Sequence, residues 1–391
     1  MGTERFARID ELFERNIAAG VISGAVALVE RHGEIVYEHA SGWRDIEAAR
    51  PMTTDTLFRI ASMSKPVTVA CAMTFVDEGR LRLDDPVDEW LPELANRPVL
   101  RKPTGPLDDT VAMERPITLR DLCTHRSGYM SHGAMTFPLG QAMAAVGGLF
   151  SDQLDADEFM MALGKIPLLD QPGARYTYGI SHDILGVMLG RVAGRPFADV
   201  VQERIAEPLG MTDTAFHAVD PSRLAVPYTP NVDGKLVPDS RVDQARWHQP
   251  PRFAAGAGGM VSSVHDYCRF GAMLLRGGEY EGTQVLSRRA VELMRTNHLT
   301  ERQRAVTRYR GTKLFFSYRG YGLGVEIVDD LTSAPALTSL GAFGWGGYFG
   351  TWWHSFPVED LVAVMMIQVT DAEENLPVAM DFQTLVMAAA D

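Results

Sequence analysis

Apolar residues recur at helical spacing from the first turn of the chain. Phe6, Ile9, Leu12, Phe13 and Ile17 in "MGTERFARIDELFERNIAAG" predict an amphipathic helix. The next stretch, "ISGAVALVERHGEIVYEHASGW", carries runs rich in Val, Ile and Ala on either side of "RHGE", which predicts a β-hairpin. A helix beginning near Ser62 follows. Its Val67, Val69, Ala70, Ala72, Met73, Phe75 and Val76 leave no polar stripe, so burial on every side is expected, with Gly79 closing the helix.

Between residues 81 and 224 the periodicity is helical. "ITLRDLCTHRSG", "DADEFMMALGKIPLL", "SHDILGVMLGRVAG" and "PFADVVQERIAEPLG" are joined by Pro/Gly loops. The stretches 96–116 and 129–153 read as long loops of the kind that rim functional sites. Strand patterns return after 225 in "GAGGMVSS", "YGLGVEIV", "GYFGTWWHSF" and "LVAVMMIQV", with helices in "VHDYCRFGAMLLRGG" and "MDFQTLVMAAA". The pattern predicts a discontinuous sheet domain, 1–80 with 225–391, and a helical domain of 81–224 carrying the long rim loops. A cleft between such lobes is a natural ligand site.

Composition narrows the class. The 391 residues are 46% hydrophobic and 22% charged, as in ordinary soluble proteins. A formal charge of -13 without a lysine/arginine cluster argues against a nucleic-acid partner. No apolar run approaches the roughly 18 residues of a membrane span, and the first twenty residues lack the pattern of a secretion signal. Cys71, Cys123 and Cys268, odd in number and far apart, read as reduced core thiols. Together these features predict a cytoplasmic protein with no membrane partner; the oligomeric state is not legible.

The candidate chemistry starts at Ser62 and Lys65. Residues three apart on a helix are neighbours, a serine hydroxyl needs a base to become a nucleophile, and desolvation lowers an amine's pKa. S-x-x-K alone also fits a serine that merely caps a helix. Further candidates lie elsewhere: Tyr176 and Tyr178 ahead of a helix, and Trp345-Gly346-Gly347 in a C-terminal strand pattern. No G-x-S-x-G elbow precedes a helix in strand context; "GISHD" around Ser181 ends in Asp183. The ten histidines show no metal spacing, and "GAGGM" lacks the phosphate-loop lysine, so neither metal nor cofactor is expected. His125 and His354 are read as structural or cleft-lining.

In order along the chain, "TLFRIASMSKP", "THRSGY", "GAGGMVSSVHDYCRFGAMLLRGG" and "GWGGYFGTWW" resemble the serine β-lactamase and penicillin-binding-protein superfamily. The likeness is closest to its esterase branch, the family VIII carboxylesterases. It implies an α+β, β-lactamase-like fold, with an antiparallel sheet built from both chain ends, flanking helices and an inserted helical domain. It implies Ser62 as nucleophile, with Lys65 and Tyr178 sharing proton transfer and the choice of base left open. The oxyanion hole would be the N–H groups of Ser62 and Tyr348, and Trp345, Gly346, Gly347, Tyr129, Ile180 and Phe349 would touch substrate. An ammonium beside the phenol would lower its pKa.

Two departures from the family pattern stand out. Trp345 occupies the position of a lysine that meets substrate carboxylates, and Ile180 that of an asparagine in Tyr-x-Asn. Both point toward neutral esters. The expected function is a serine carboxylesterase acting on short-to-medium acyl esters, small-molecule substrates, with weak β-lactamase activity at most. Alternatives are a β-lactamase, a D-peptidase or amidase, an acyltransferase, or a non-turnover penicillin-binding-like protein. Met130, Met135, Phe137, Met143, Phe150, Met160 and Met161, with Trp345, Tyr348, Phe349, Trp352 and Trp353, are divided between an adaptable apolar rim and core.

Overall fold

The computed structural model describes residues 3–131, 137–146, 153–307, 315–370 and 376–390. Its main sheet has eight antiparallel strands: β1 (Gly24–Arg31), β2 (Glu34–Asp45), β3 (Arg50–Pro51), β4 (Arg319–Tyr321), β5 (Glu326–Val328), β6 (Phe343–Gly346), β7 (Trp352–Phe356) and β8 (Leu361–Met366). Their spatial order is β4-β5-β6-β7-β8-β1-β2-β3. The two ends of the chain meet where β8 pairs with β1, from Val26 opposite Met366 to Arg31 opposite Leu361.

Period-two alternation explains why these strands carry nearly continuous apolar runs. Val26, Leu28, Val362, Val364 and Met366 join one core, while Ala25, Ala27, Val29, Leu361, Ala363 and Met365 join another. Helices cover both faces. The second face packs under α1 (Thr3–Ala18) and the C-terminal helix Leu376–Ala390, whose Phe13 and Phe382 rings stack at 6.0 Å.

On the first face lies α2 (Ser64–Asp77), buried at every position from Ser64 to Phe75, as its unbroken apolar pattern predicts. Beyond it stands α3 (Ser181–Ala193), and α4 (Val264–Leu275) packs onto β7, β8 and β1. One apolar core runs from β1 through α2 into Leu122, Phe159 and Ile184 of the helical segment. Among the described residues no helix is long and apolar enough to cross a membrane.

Several local expectations change. Ser62 lies in a one-turn 3-10 helix, Ala61–Met63, and the α-helix proper begins at Ser64. "GAGGMVSS" is strand only at Val261–Ser262; tight contacts curl its glycines into a turn. "YGLGVEIV" is a hairpin rather than one strand, because its glycines turn the chain between β4 and β5. The 96–116 loop contains a short ladder pairing Val99–Leu100 with Thr110–Val111. Helix Phe197–Val201 loosens into a π-turn over Gln202–Ala206. Trp352 and Trp353 belong to the cores on opposite faces of the sheet and not to a rim. His354 is also interior, its Nε2 2.8 Å from Glu326 and Nδ1 3.2 Å from Gln383.

Candidate active site

Ser62 stands at the junction of α2 and the sheet. Ala61, just before it, has φ 43°, a left-handed value unusual for a residue with a Cβ and held here by complete burial. The strand end that follows β6 comes close beneath. A Cβ on Gly347 would lie 2.4 Å from the Ile60 carbonyl oxygen and 2.1 Å from Thr351 Oγ1, so only glycine permits this approach. Ala61 and Phe349 share a small apolar cluster with Tyr348 packed at its side, which brings the backbones around Ser62 and Tyr348 together. Pairing of β5 with β6 stops at Gly344, and Gly346 is exposed.

Lys65 is 1% exposed, and its Nζ lies 3.0 Å from Ser62 Oγ. The same nitrogen donates to the Ala257 carbonyl at 2.6 Å and sits 4.7 Å from the centre of the Tyr178 ring. Tyr178 is half-buried, and its side chain hydrogen-bonds both Ser62 and Trp345. An indole nitrogen can only donate, so Trp345 presents a neutral N–H to the phenol oxygen. Ser62, Tyr178, Gly347 and Tyr348 are all partly open to solvent, and they form the accessible face of the cluster.

Burial dominates the ionisation of both proton carriers. Desolvation brings the Lys65 ammonium down to about 7, against a smaller opposing pull from Asp183. Desolvation pushes the Tyr178 phenol up to about 12; the hydrogen bonds with Ser62 and Trp345 pull it down and Asp183 pushes it up. The expected lowering of the phenol by an ammonium therefore does not prevail, because desolvation of the phenol itself outweighs the groups that pull it down. At neutral pH Lys65 is near the middle of its titration and Tyr178 keeps its proton. A neutral amine has one lone pair; with one N–H given to Ala257, that lone pair can face Ser62.

The "GAGGM" turn proves to be the cradle of this lysine, a role its composition did not disclose. A Cβ at Gly256 would meet the His182 carbonyl at 2.4 Å, so the turn can press against α3 and deliver the Ala257 carbonyl to Lys65. Asp183 accepts the Ala257 N–H at 2.8 Å and fixes that turn. Met260 N–H donates to Ser64 Oγ at 3.1 Å, and Thr68 Oγ1 to the Gly256 carbonyl at 2.8 Å. Asp183 and Ala257 are site residues that no motif spacing identified.

The remaining candidates separate. Trp345 is 3% exposed within an aromatic group of Tyr176, Phe316 and Tyr321, with Tyr178 against it. Tyr129, Ile180 and Phe349, expected at the substrate surface, are buried: the first two belong to the main core and Phe349 packs on Ala61 and Val242. Met130, Met143 and Met160 are core residues, Phe137 is half-buried and Met161 is exposed, while Met135 and Phe150 lie outside the described residues.

The chain as a whole is similar to known proteins. An uncharacterized protein of Mycobacterium tuberculosis is 40% identical over 355 residues, 90% of this chain and 86% of the relative. Esterase EstB of Burkholderia gladioli is 32% identical over 388 residues, 93% of this chain and 90% of its own. The solved structure of EstCE1, described as a hydrolase with promiscuous acyltransferase activity, superimposes with a TM-score of 0.84 at 25% identity, covering 98% of each chain. The family description Beta-lactamase matches residues 9–386. The chain belongs to the Beta-lactamase family and is a serine hydrolase on its α+β fold.

Proposed function

We propose that this protein is a carboxylesterase of the family VIII type that hydrolyses short-to-medium acyl esters through an acyl-enzyme on Ser62. The observation that carries this reading is the 3.0 Å approach of Ser62 Oγ to a buried lysine whose ammonium is brought down to about 7. Neutral Lys65 takes the hydroxyl proton as Oγ bonds to the ester carbonyl carbon. The carbonyl oxygen becomes an oxyanion and accepts N–H groups from Ser62 and Tyr348. Collapse breaks the acyl–oxygen bond, and the alcohol leaves with a proton passed from Lys65 through the Tyr178 phenol. Water then attacks the acyl carbon, its proton returns along the same pair, and the acid departs with Ser62 restored.

Trp345 supports neutral substrates. It brings a donor to Tyr178 without adding the cation that would greet a substrate carboxylate. Activity on β-lactams is accordingly weak. Acyl transfer to an alcohol in place of water is favoured as a side reaction by the likeness to EstCE1. The buried free thiols Cys71, Cys123 and Cys268 support a reducing, cytoplasmic setting. A panel of p-nitrophenyl acetate, butyrate and octanoate run beside nitrocefin tests the substrate class. The expected result is ester turnover with the shorter chains ahead and nitrocefin slow; efficient nitrocefin hydrolysis with poor ester turnover overturns it.

A further inference from the structure

We propose that His125 is a positioning residue for Tyr178, gripping the backbone on both sides of the phenol and backing its ring. This rests on the proton-transfer role given to Tyr178 above. Thr177 N–H donates to the His125 carbonyl at 2.8 Å, and Gly179 N–H donates to His125 Nδ1 at 3.4 Å. Between those two bonds lies Tyr178, whose ring centre is 4.6 Å from that of the imidazole. One residue thus holds the position before the tyrosine, the position after it, and the aromatic face.

The backbone of His125 is shaped for this double grip. It has φ 53°, in the left-handed region, and the residue is fully buried. Such a conformation persists only where its surroundings enforce it. Neighbouring contacts run in the same direction: Gly173 N–H donates to the Arg126 carbonyl at 2.8 Å and Leu169 N–H to the Gly128 carbonyl at 2.9 Å. The "THRSG" segment is therefore strapped along the 169–179 stretch, and His125 is where the strap meets the phenol. Because Nδ1 accepts, the ring proton sits on Nε2. Burial first, then the nearby His182 and Lys65, keeps the imidazole neutral. A neutral ring supplies the acceptor that the Gly179 bond requires, which an imidazolium cannot.

The test is a double-mutant cycle read with p-nitrophenyl butyrate. His125→Phe keeps a ring and removes the acceptor. It is expected to lower kcat about 10²-fold, the usual penalty of a misplaced catalytic group, with KM within about twofold. His125→Asn offers an oxygen near the Nδ1 position and tolerates the left-handed backbone; it should recover about tenfold of that loss. In the Tyr178→Phe background either histidine substitution should cost almost nothing more, because a residue acting through the phenol has nothing left to position. Losses that multiply with Tyr178→Phe overturn the inference alone. Wild-type turnover in Tyr178→Phe by itself overturns the role of the tyrosine and the inference with it. If His125→Phe does not fold, the cycle with His125→Asn carries the same test, its remaining loss of about tenfold vanishing beside Tyr178→Phe.

Discussion

In the proposed mechanism, burial that brings the Lys65 ammonium down to about 7 lets the lysine serve as the base for Ser62. The pH dependence follows with a definite sign. Protonated Lys65 has no lone pair, so kcat/KM should fall as pH drops below about 7 and level off above it, until a second group titrates. A p-nitrophenyl butyrate profile checks this, and an acid limb near the carboxylate range would reassign the base. Tyr178→Phe should lower kcat by about 10²-fold or more, the usual worth of a positioned proton carrier, with an unchanged melting temperature. At this scale Ser62, Lys65 and Tyr178 were legible as residue types at motif spacing. Their proton inventory was not, because burial decides it and spacing does not encode depth.

Elements bring these residues together through close approaches that tolerate little change. A side chain at Gly347 collides with Ile60 O and Thr351 Oγ1, neither of which can swing away without moving backbone or breaking the Thr351–Ile60 bond of 3.2 Å. Gly347→Ala should therefore cost about 1–3 kcal/mol of stability and reduce kcat by displacing the strand end from Ser62. Thermal melts and steady-state kinetics read the two effects separately. The helix after Ser62 and the N-terminal hairpin could be read from periodicity. The role of "GAGGM" could not, since its alternation suggests a strand while contact with α3 and Lys65 makes it a turn. Trp352 and Trp353 were likewise ambiguous: adjacent bulky residues in a strand point to opposite faces, and only the helices covering both faces make each of them core.

For the molecule as a whole, the seam between β1 and β8 fastens the chain ends, and the two faces of the sheet serve different purposes. The α2 face carries the candidate site, whereas α1 and the C-terminal helix cover the other. We propose the division into 1–80 with 225–391, and 81–224, as the two lobes between which substrate enters. Phe13 is fully buried on the far face against Phe382, so Phe13→Ala should lower stability by about 3–5 kcal/mol. Activity per folded molecule should be unchanged, and urea titration beside kinetics below the transition checks both. The alternating ends and helical middle made the architecture legible, and successive strands pair with their sequence neighbours. The one remote pairing, β1 with β8 from Val26 opposite Met366 to Arg31 opposite Leu361, joins the two chain ends in a register that no local pattern records.

The most direct test is the turnover of p-nitrophenyl butyrate by Ser62→Ala, measured on protein whose melting curve matches the parent. Removal of the nucleophile is predicted to reduce kcat by at least about 10⁴-fold. Turnover within about tenfold of the parent would contradict the assignment of Ser62 and the acyl-enzyme built on it.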